Sequence, residues 1–101
     1  MDKNVFYKDV YAIVAQIPFG TVLTYGWIAK LAGYPQYSRM VGQAMHNAPI
    51  NLPCHRVVNS KGQTAPTWLE QRYLLEQEGI YFTKAGKIDL TVFLWNICKI
   101  D

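Results

Sequence analysis

The sequence predicts a small α+β domain, mostly helical, built around a helix-turn-helix and closed by a small β-hairpin. Three observations carry that prediction. Val10, Ile13, Val14 and Ile17 recur at the i, i+3, i+4 and i+7 spacing of an amphipathic helix. Two further short helical patterns meet at a tight, Gly33-containing turn, the arrangement of a helix-turn-helix. Near the C-terminus, Ile80-Tyr81-Phe82 and Ile88-Asp89-Leu90 flank Lys84-Ala85-Gly86-Lys87 and read as a hairpin.

The elements follow in order. The first helix begins near Asn4, its expected N-cap, carries Phe6 one turn ahead of the apolar stripe and stops at Pro18. Phe19-Gly20 turns the chain and Thr21-Val22-Leu23 is a short extended link. Thr24 is the expected N-cap of a second helix running through Ile28, Ala29 and Leu31, with Gly33 as its left-handed stop. After the Tyr34-Pro35 corner a third helix is expected over residues 36–46, with Arg39 near its start and the small residues Gly42 and Ala44 further along. Small residues let a helix come close to another surface, whether protein core or a groove in DNA. On this pattern alone a packed helical hairpin, common in bundles, is the better reading. Val57-Val58 reads as a short buried strand and Asn59-Ser60-Lys61-Gly62 as a turn. Thr67-Trp68-Leu69-Glu70 has the spacing of a capping box, which predicts a fourth helix over 67–78 ending at Gly79. Residues 91–95, rich in aromatics, are expected to pack back on the core.

Composition sets the class. At 101 residues the chain is expected to form one domain, 1–101, with a single core. Half of its residues are apolar and 17% are charged, an ordinary globular balance. The net charge of +3 tilts it mildly toward anionic partners. Asp2 and Lys3 lead into a broken apolar pattern, unlike a signal peptide, and no stretch nears the roughly 18 apolar residues of a membrane span. The expectation is a cytoplasmic protein that is not a membrane protein, with its two distant cysteines as thiols.

The chemistry concentrates in Pro53-Cys54-His55-Arg56, where a thiol, an imidazole and a guanidinium follow one another. A cysteine attacks as the thiolate, and a nearby histidine or fixed positive charge favours that form. Along an extended strand neighbouring side chains face opposite ways, so thiol and imidazole cooperate only if the backbone turns or a water bridges them. Pro53, with its fixed φ, suits such a turn. Cys54 reads equally as a small buried hydrophobe, and His55 as a hydrogen-bonded core histidine. A base role for His55 needs an acid to fix its tautomer; Glu70, Glu76 and Glu78 are candidates. His46, Cys54, His55 and Cys98 have no metal-ligand spacing, so no metal is expected, and Cys98 reads as incidental.

A longer pattern joins these pieces. Ile17-Pro18-x-Gly20-x-Val22-x-Thr24-Tyr25-Gly26-x-Ile28-Ala29 is followed by Gly33-x-Pro35, Arg39-x-Val41-Gly42-x-Ala44-Met45, Pro53-Cys54-His55-Arg56-Val57-Val58, Ser60-x-Gly62 and Leu74-Leu75-x-x-Glu78-Gly79. In uninterrupted order from about residue 5 to about residue 80, this resembles the DNA-binding and active-site domain of the O6-alkylguanine-DNA alkyltransferases. The resemblance implies a winged-helix-like fold and a partner, double-stranded DNA containing O6-alkylguanine. It implies that Cys54 accepts the alkyl group in one irreversible turnover, with His55 as base through a water and Glu78 orienting it. It implies that Arg39 enters the stack in place of an extruded nucleotide that Tyr25 helps to rotate, with the third helix in the minor groove. Thr24 and Gly42 belong to the same DNA-contacting set, and Asn47, Pro53 and Arg56 would support the active-site turn. No cofactor is implied, and a monomer suffices. The physics agrees, since a base must leave the stack before chemistry is done on it.

There are departures. Alkyltransferases usually carry a Gly-Tyr-x-x-Gly loop that lines the base pocket; Gln63-Thr64-Ala65-Pro66-Thr67 lacks it and is shorter. The loop before Cys54 is also slightly short. Phe6-Tyr7-x-x-Val10-Tyr11, Asn59-Ser60-x-Gly62, Glu70-Gln71-Arg72 and the end near Trp95 are similar to the alkyltransferase-like branch, which holds tryptophan where Cys54 stands and flags lesions for nucleotide excision repair proteins. The expectations are therefore methyl transfer to Cys54 first, a non-catalytic lesion sensor second, and a winged-helix regulator without lesion preference third. Trp68 reads as a core residue, or as filling space left by the missing loop.

Overall fold

The computed structural model describes residues 1–99, apart from the side chains of 98 and 99. Chain order is α1 (Lys3–Ala15), β1 (Leu23–Thr24), α2 (Tyr25–Leu31), α3 (Ser38–His46), a 3-10 turn (Cys54–Arg56), β2 (Val57–Val58), α4 (Glu70–Glu76), α5 (Leu90–Phe93) and a last 3-10 turn (Asn96–Lys99). It is the mostly helical α+β fold the patterns predict.

The apolar stripe of α1 buries Phe6, Val10 and Val14. Its cap is Asp2, not Asn4: the Asp2 carboxylate accepts from the amides of Asn4 and Val5, so the cap lies two residues earlier than expected. Thr24 caps α2 as expected, its hydroxyl accepting from the Trp27 amide at 3.1 Å. Gly33 ends that helix with φ +91°. Tyr34 and Tyr37 stack on each other and meet the Phe6 ring edge-on, which fixes the α2–α3 turn against α1. The third helix begins at Ser38, two residues late, because 34–37 close a turn through the Tyr37 amide and the Tyr34 carbonyl.

The extended link after α1 becomes a strand. β1 pairs in parallel with β2, Leu23 opposite Val57 and Thr24 opposite Val58. Side chains alternate across a strand, so this short ladder divides two cores. Leu23 and Val57 join the larger one with α1, α2 and α3. Val22 and Val58 join the smaller one with Leu75, Ile80 and Ile88. The tail packs back as expected, with Trp95 and Phe93 bonded to the backbone of Val22.

Two expectations shrink. α4 starts at Glu70, and no side chain caps it, because Thr67 stays in a turn closed by the Trp68 amide on the Ala65 carbonyl. The hairpin reduces to one antiparallel bridge, Phe82 to Ile88, since Leu90 already belongs to α5. Among the described residues no helix is long and apolar enough to cross a membrane.

Candidate active site and DNA-facing surface

The backbone does turn at Pro53. With φ −78° and ψ 59°, and the Cys54 amide 2.8 Å from the Leu52 carbonyl, residues 52–54 form an inverse γ-turn. The 3-10 turn Cys54–Arg56 follows at once, tied by the Arg56 amide on the Pro53 carbonyl. Thiol and imidazole thus leave a coiled stretch, not a strand.

Behind the turn lies Glu78, its side chain only 6% exposed. His55 Nε2 is 2.6 Å from Glu78 Oε2. Arg56 Nε lies 3.0 Å from both carboxylate oxygens, and the Gly20 amide donates to Oε1 at 2.8 Å. Arg56 also donates to the Ile17 carbonyl and rests over the Phe19 ring, which draws the turn after α1 into the site. Burial opposes ionisation of Glu78, but the hydrogen bonds of Arg56, Gly20 and His55 and the guanidinium charge outweigh it and hold its pKa below the usual carboxylate value. An ionised Glu78 only accepts, so the neutral imidazole carries its proton on Nε2 and leaves Nδ1 as the basic nitrogen. Of the three candidate acids Glu78 is the one placed here; Glu76 pairs with exposed Arg72 and Glu70 is exposed.

In front of the turn is a cavity of about 320 Å³. Tyr25, Gly42, His46, Cys54, Trp68 and Gln71 are among its lining residues. A second cavity of about 340 Å³ shares Tyr25, Gly42, His46, Ala65 and Thr67, so the two form one cleft between α3 and the 63–67 loop. Burial pushes the Cys54 thiol up from its ordinary value, and it pushes the Tyr25 phenol up too, with the neighbouring thiol adding to the effect. Trp68 lines the cavity wall and belongs to neither core, which corrects its reading as a core tryptophan. Among the described residues no three His, Cys, Asp or Glu side chains converge as metal ligands.

The small residues of α3 divide between the two surfaces the sequence left open. Ala44 is buried in the core, whereas a Cβ on Gly42 would meet nothing within 4 Å. Arg39 is exposed in the first turn of α3, with no hydrogen bond or ion pair among the described residues. Gly42, Gln43 and His46 continue that face toward the cavity mouth. Asn47 is not brought to the Cys54 turn; it is exposed and its amide donates to the Gln43 carbonyl within its own helix. Thr24 is buried as the α2 cap, one residue before Tyr25. Two groups to which the residue patterns gave no role at the site are the Gly20 amide and Gln71, a buried amide that reaches the site backbone. A backbone donor has no signature in side-chain types, and a glutamine on a helix reads as solvated.

Residues 5–80 match the family described as 6-O-methylguanine DNA methyltransferase, DNA binding domain. The chain is 44% identical to a DNA base-flipping protein of Vibrio parahaemolyticus, over 90% of this chain and 96% of that one. It is 43% identical to a methylated-DNA–protein-cysteine methyltransferase of Methanopyrus kandleri, over 71% of this chain and 56% of the relative. Its fold superposes with a TM-score of 0.83 on Schizosaccharomyces pombe Atl1, solved in complex with damaged DNA containing O6-carboxymethylguanine; identity is 39% and coverage 94% and 98%. With the family match spanning the helix-turn-helix, the Cys54 turn and Glu78, the chain belongs to the 6-O-methylguanine DNA methyltransferase DNA-binding-domain family.

Proposed function

We propose that this protein binds O6-alkylguanine in duplex DNA, takes the damaged nucleotide out of the stack and receives its alkyl group on Cys54. The observation that carries the reading is the position of Cys54, in the wall of a cavity beside α3, on the turn whose imidazole is anchored by Glu78. A base cannot be reached inside a duplex, so a pocket next to the DNA-facing helix is what the chemistry needs. Unpartnered Arg39 supplies a side chain to stand in the vacated stack, and Gly42 leaves room for a close groove approach. The name of the Vibrio parahaemolyticus relative supports base flipping, the Schizosaccharomyces pombe complex supports a damaged-DNA partner, and the name of the Methanopyrus kandleri relative supports transfer.

The transfer step balances with this chain's own groups. His55 Nδ1 takes the thiol proton through a water. The sulfur attacks the alkyl carbon, the carbon–O6 bond breaks, and its electron pair stays on the guanine. The proton passes to that guanine, and the thioether on Cys54 ends a single turnover. Glu78 holds the imidazole in the required tautomer and stabilises its transient charge. The domain over 1–101 carries every group named, and no cofactor takes part. Nucleotide excision repair proteins are the expected partners only if transfer fails.

A second reading, lesion binding without transfer, is favoured by one observation: burial raises the thiol pKa, which lowers the thiolate fraction near neutral pH. Incubation with methylated duplex and an intact-mass measurement separates the two. The expected result is a gain of one CH2 in the wild type and none in Cys54→Ala, which keeps its preference for the alkylated duplex. No gain in the wild type overturns transfer and leaves the sensor; equal affinity for damaged and undamaged duplex overturns both.

A further inference from the structure

Gln71 is 1% exposed, and only it and Thr24 are buried polar side chains among the described residues. Its amide reaches three backbone groups on two different walls of the cavity. Oε1 accepts from the Ala65 amide at 2.7 Å, on the 63–67 loop. Nε2 donates to the Val57 carbonyl at 2.8 Å and to the His55 carbonyl at 3.1 Å, on the Cys54 turn and β2. The side chain itself forms part of the cavity lining.

We infer that Gln71 is a positioning residue that sets the width of the lesion pocket by tying the 63–67 loop to the Cys54 turn. This rests on the lesion-binding reading above. The loop has little regular structure of its own: it is held by Asn59 at one end and by the Trp68 amide on Ala65 at the other. Between those points the Ala65 amide has Gln71 as its partner. On the other side, the carbonyls of Pro53 and Cys54 are used within the 3-10 turn, while that of His55 is taken by Gln71. His55 is therefore fixed at both ends, its ring by Glu78 and its carbonyl by Gln71. A primary amide suits the site because it donates twice and accepts at once, which neither a carboxylate nor an apolar side chain of the same length can do. Glutamate would set an acceptor against two carbonyls, and methionine would leave all three backbone groups without a partner. The shortened loop and the buried glutamine thus form one device: a loop too short to cover the pocket by itself is held in place by a side chain from α4.

The test compares Gln71→Met with Gln71 in a Cys54→Ala background of the full chain, where the lesion survives, through dissociation constants for an alkylated and an unmodified duplex of the same sequence. Unmodified duplex touches the α3 face, which Gln71 does not reach, so that affinity should stay within a factor of about two. Affinity for the alkylated duplex should fall about tenfold, which is what ~1.4 kcal/mol of lost hydrogen bonding converts to. An unchanged preference in folded Gln71→Met, or parallel loss on both duplexes, overturns the inference. Amide exchange in the wild type decides it independently, even if the variant does not fold. The Ala65 amide should exchange as slowly as the backbone amides of β2; exchange at the rate of a free peptide overturns the clamp. A Cys54→Ala protein without lesion preference removes the function reading instead, and the Ala65 amide still reports on the clamp.

Discussion

Burial works on both ionisable groups that flank His55, and only one of them is compensated. Glu78 gathers a guanidinium, a backbone amide and an imidazole, and its pKa goes down in spite of its surroundings. Burial acts on the Cys54 thiol without a hydrogen bond or cation among the described residues to offset it, and its pKa goes up. The guanidinium that follows it in sequence is engaged with Glu78 and the Ile17 carbonyl. Arg56, a fixed positive charge two residues from the thiol, thus steadies the carboxylate behind the imidazole and not a thiolate. The sign for reactivity follows. Burial penalises the charged form, the thiolate is the charged form, and so the thiolate fraction near neutral pH is smaller than in an exposed cysteine. In a Cys98→Ser background, the rate of Cys54 alkylation by iodoacetamide should climb about tenfold per pH unit through neutrality. It should level off only above the ordinary thiol value. A plateau below that value, read by mass spectrometry against pH, would mean that the imidazole already holds the thiol ionised without DNA.

At the level of elements, the site depends on turns more than on helices. Gly62 shows why. Its φ is +79°, and a Cβ there would stand 2.3 Å from the Ile88 carbonyl oxygen. The same glycine accepts the Ile88 amide at 2.8 Å, which fastens the turn after β2 to the small core. Gly62→Ala combines a disfavoured backbone region with a backbone clash and should destabilise the fold by roughly 3 kcal/mol. A denaturant melt checks this; a loss under 1 kcal/mol, the scale of an ordinary surface change, would mean that the contact gives way easily. The element boundaries show how far local signals reach. The stripe of α1, the Thr24 cap and the Gly33 and Gly79 stops were legible because each is settled within one turn of chain. The Thr67 capping box and the longer hairpin were misread because distant partners win. Gln71 draws Ala65 inward beneath α4, and Ile88 bonds to Gly62 instead of extending a strand. The parallel pairing of Leu23–Thr24 with Val57–Val58 had no local signal at all, since it joins segments separated by the whole helix-turn-helix.

For the whole molecule, a net charge of +3 gives modest, non-specific attraction to a polyanion, so lesion choice must come from geometry. The parts of that geometry were unevenly legible. Cys54, His55 and Glu78 could be named from a motif because their chemistry is written in side-chain types. The cleft they face could not, because it is the gap between α3 and a loop held by a glutamine. Arg39 belongs to this scale, since its role exists only if base, pocket and helix act together. As a phosphate contact it would weaken every duplex alike and lower the salt slope by about 0.9. As the group that replaces an extruded base it acts after first contact, and only where a base stays in the pocket. Arg39→Ala should then reduce affinity for alkylated duplex about tenfold or more while affinity for unmodified duplex changes about twofold or less, with the salt slope nearly unchanged. Titration of both duplexes across a salt series, in a Cys54→Ala background that leaves the lesion intact, checks this. Uniform weakening with a shallower slope would make Arg39 an ordinary phosphate anchor. It would also shift the work of holding the flipped base to Tyr25, the ring already at the cavity mouth beside Cys54.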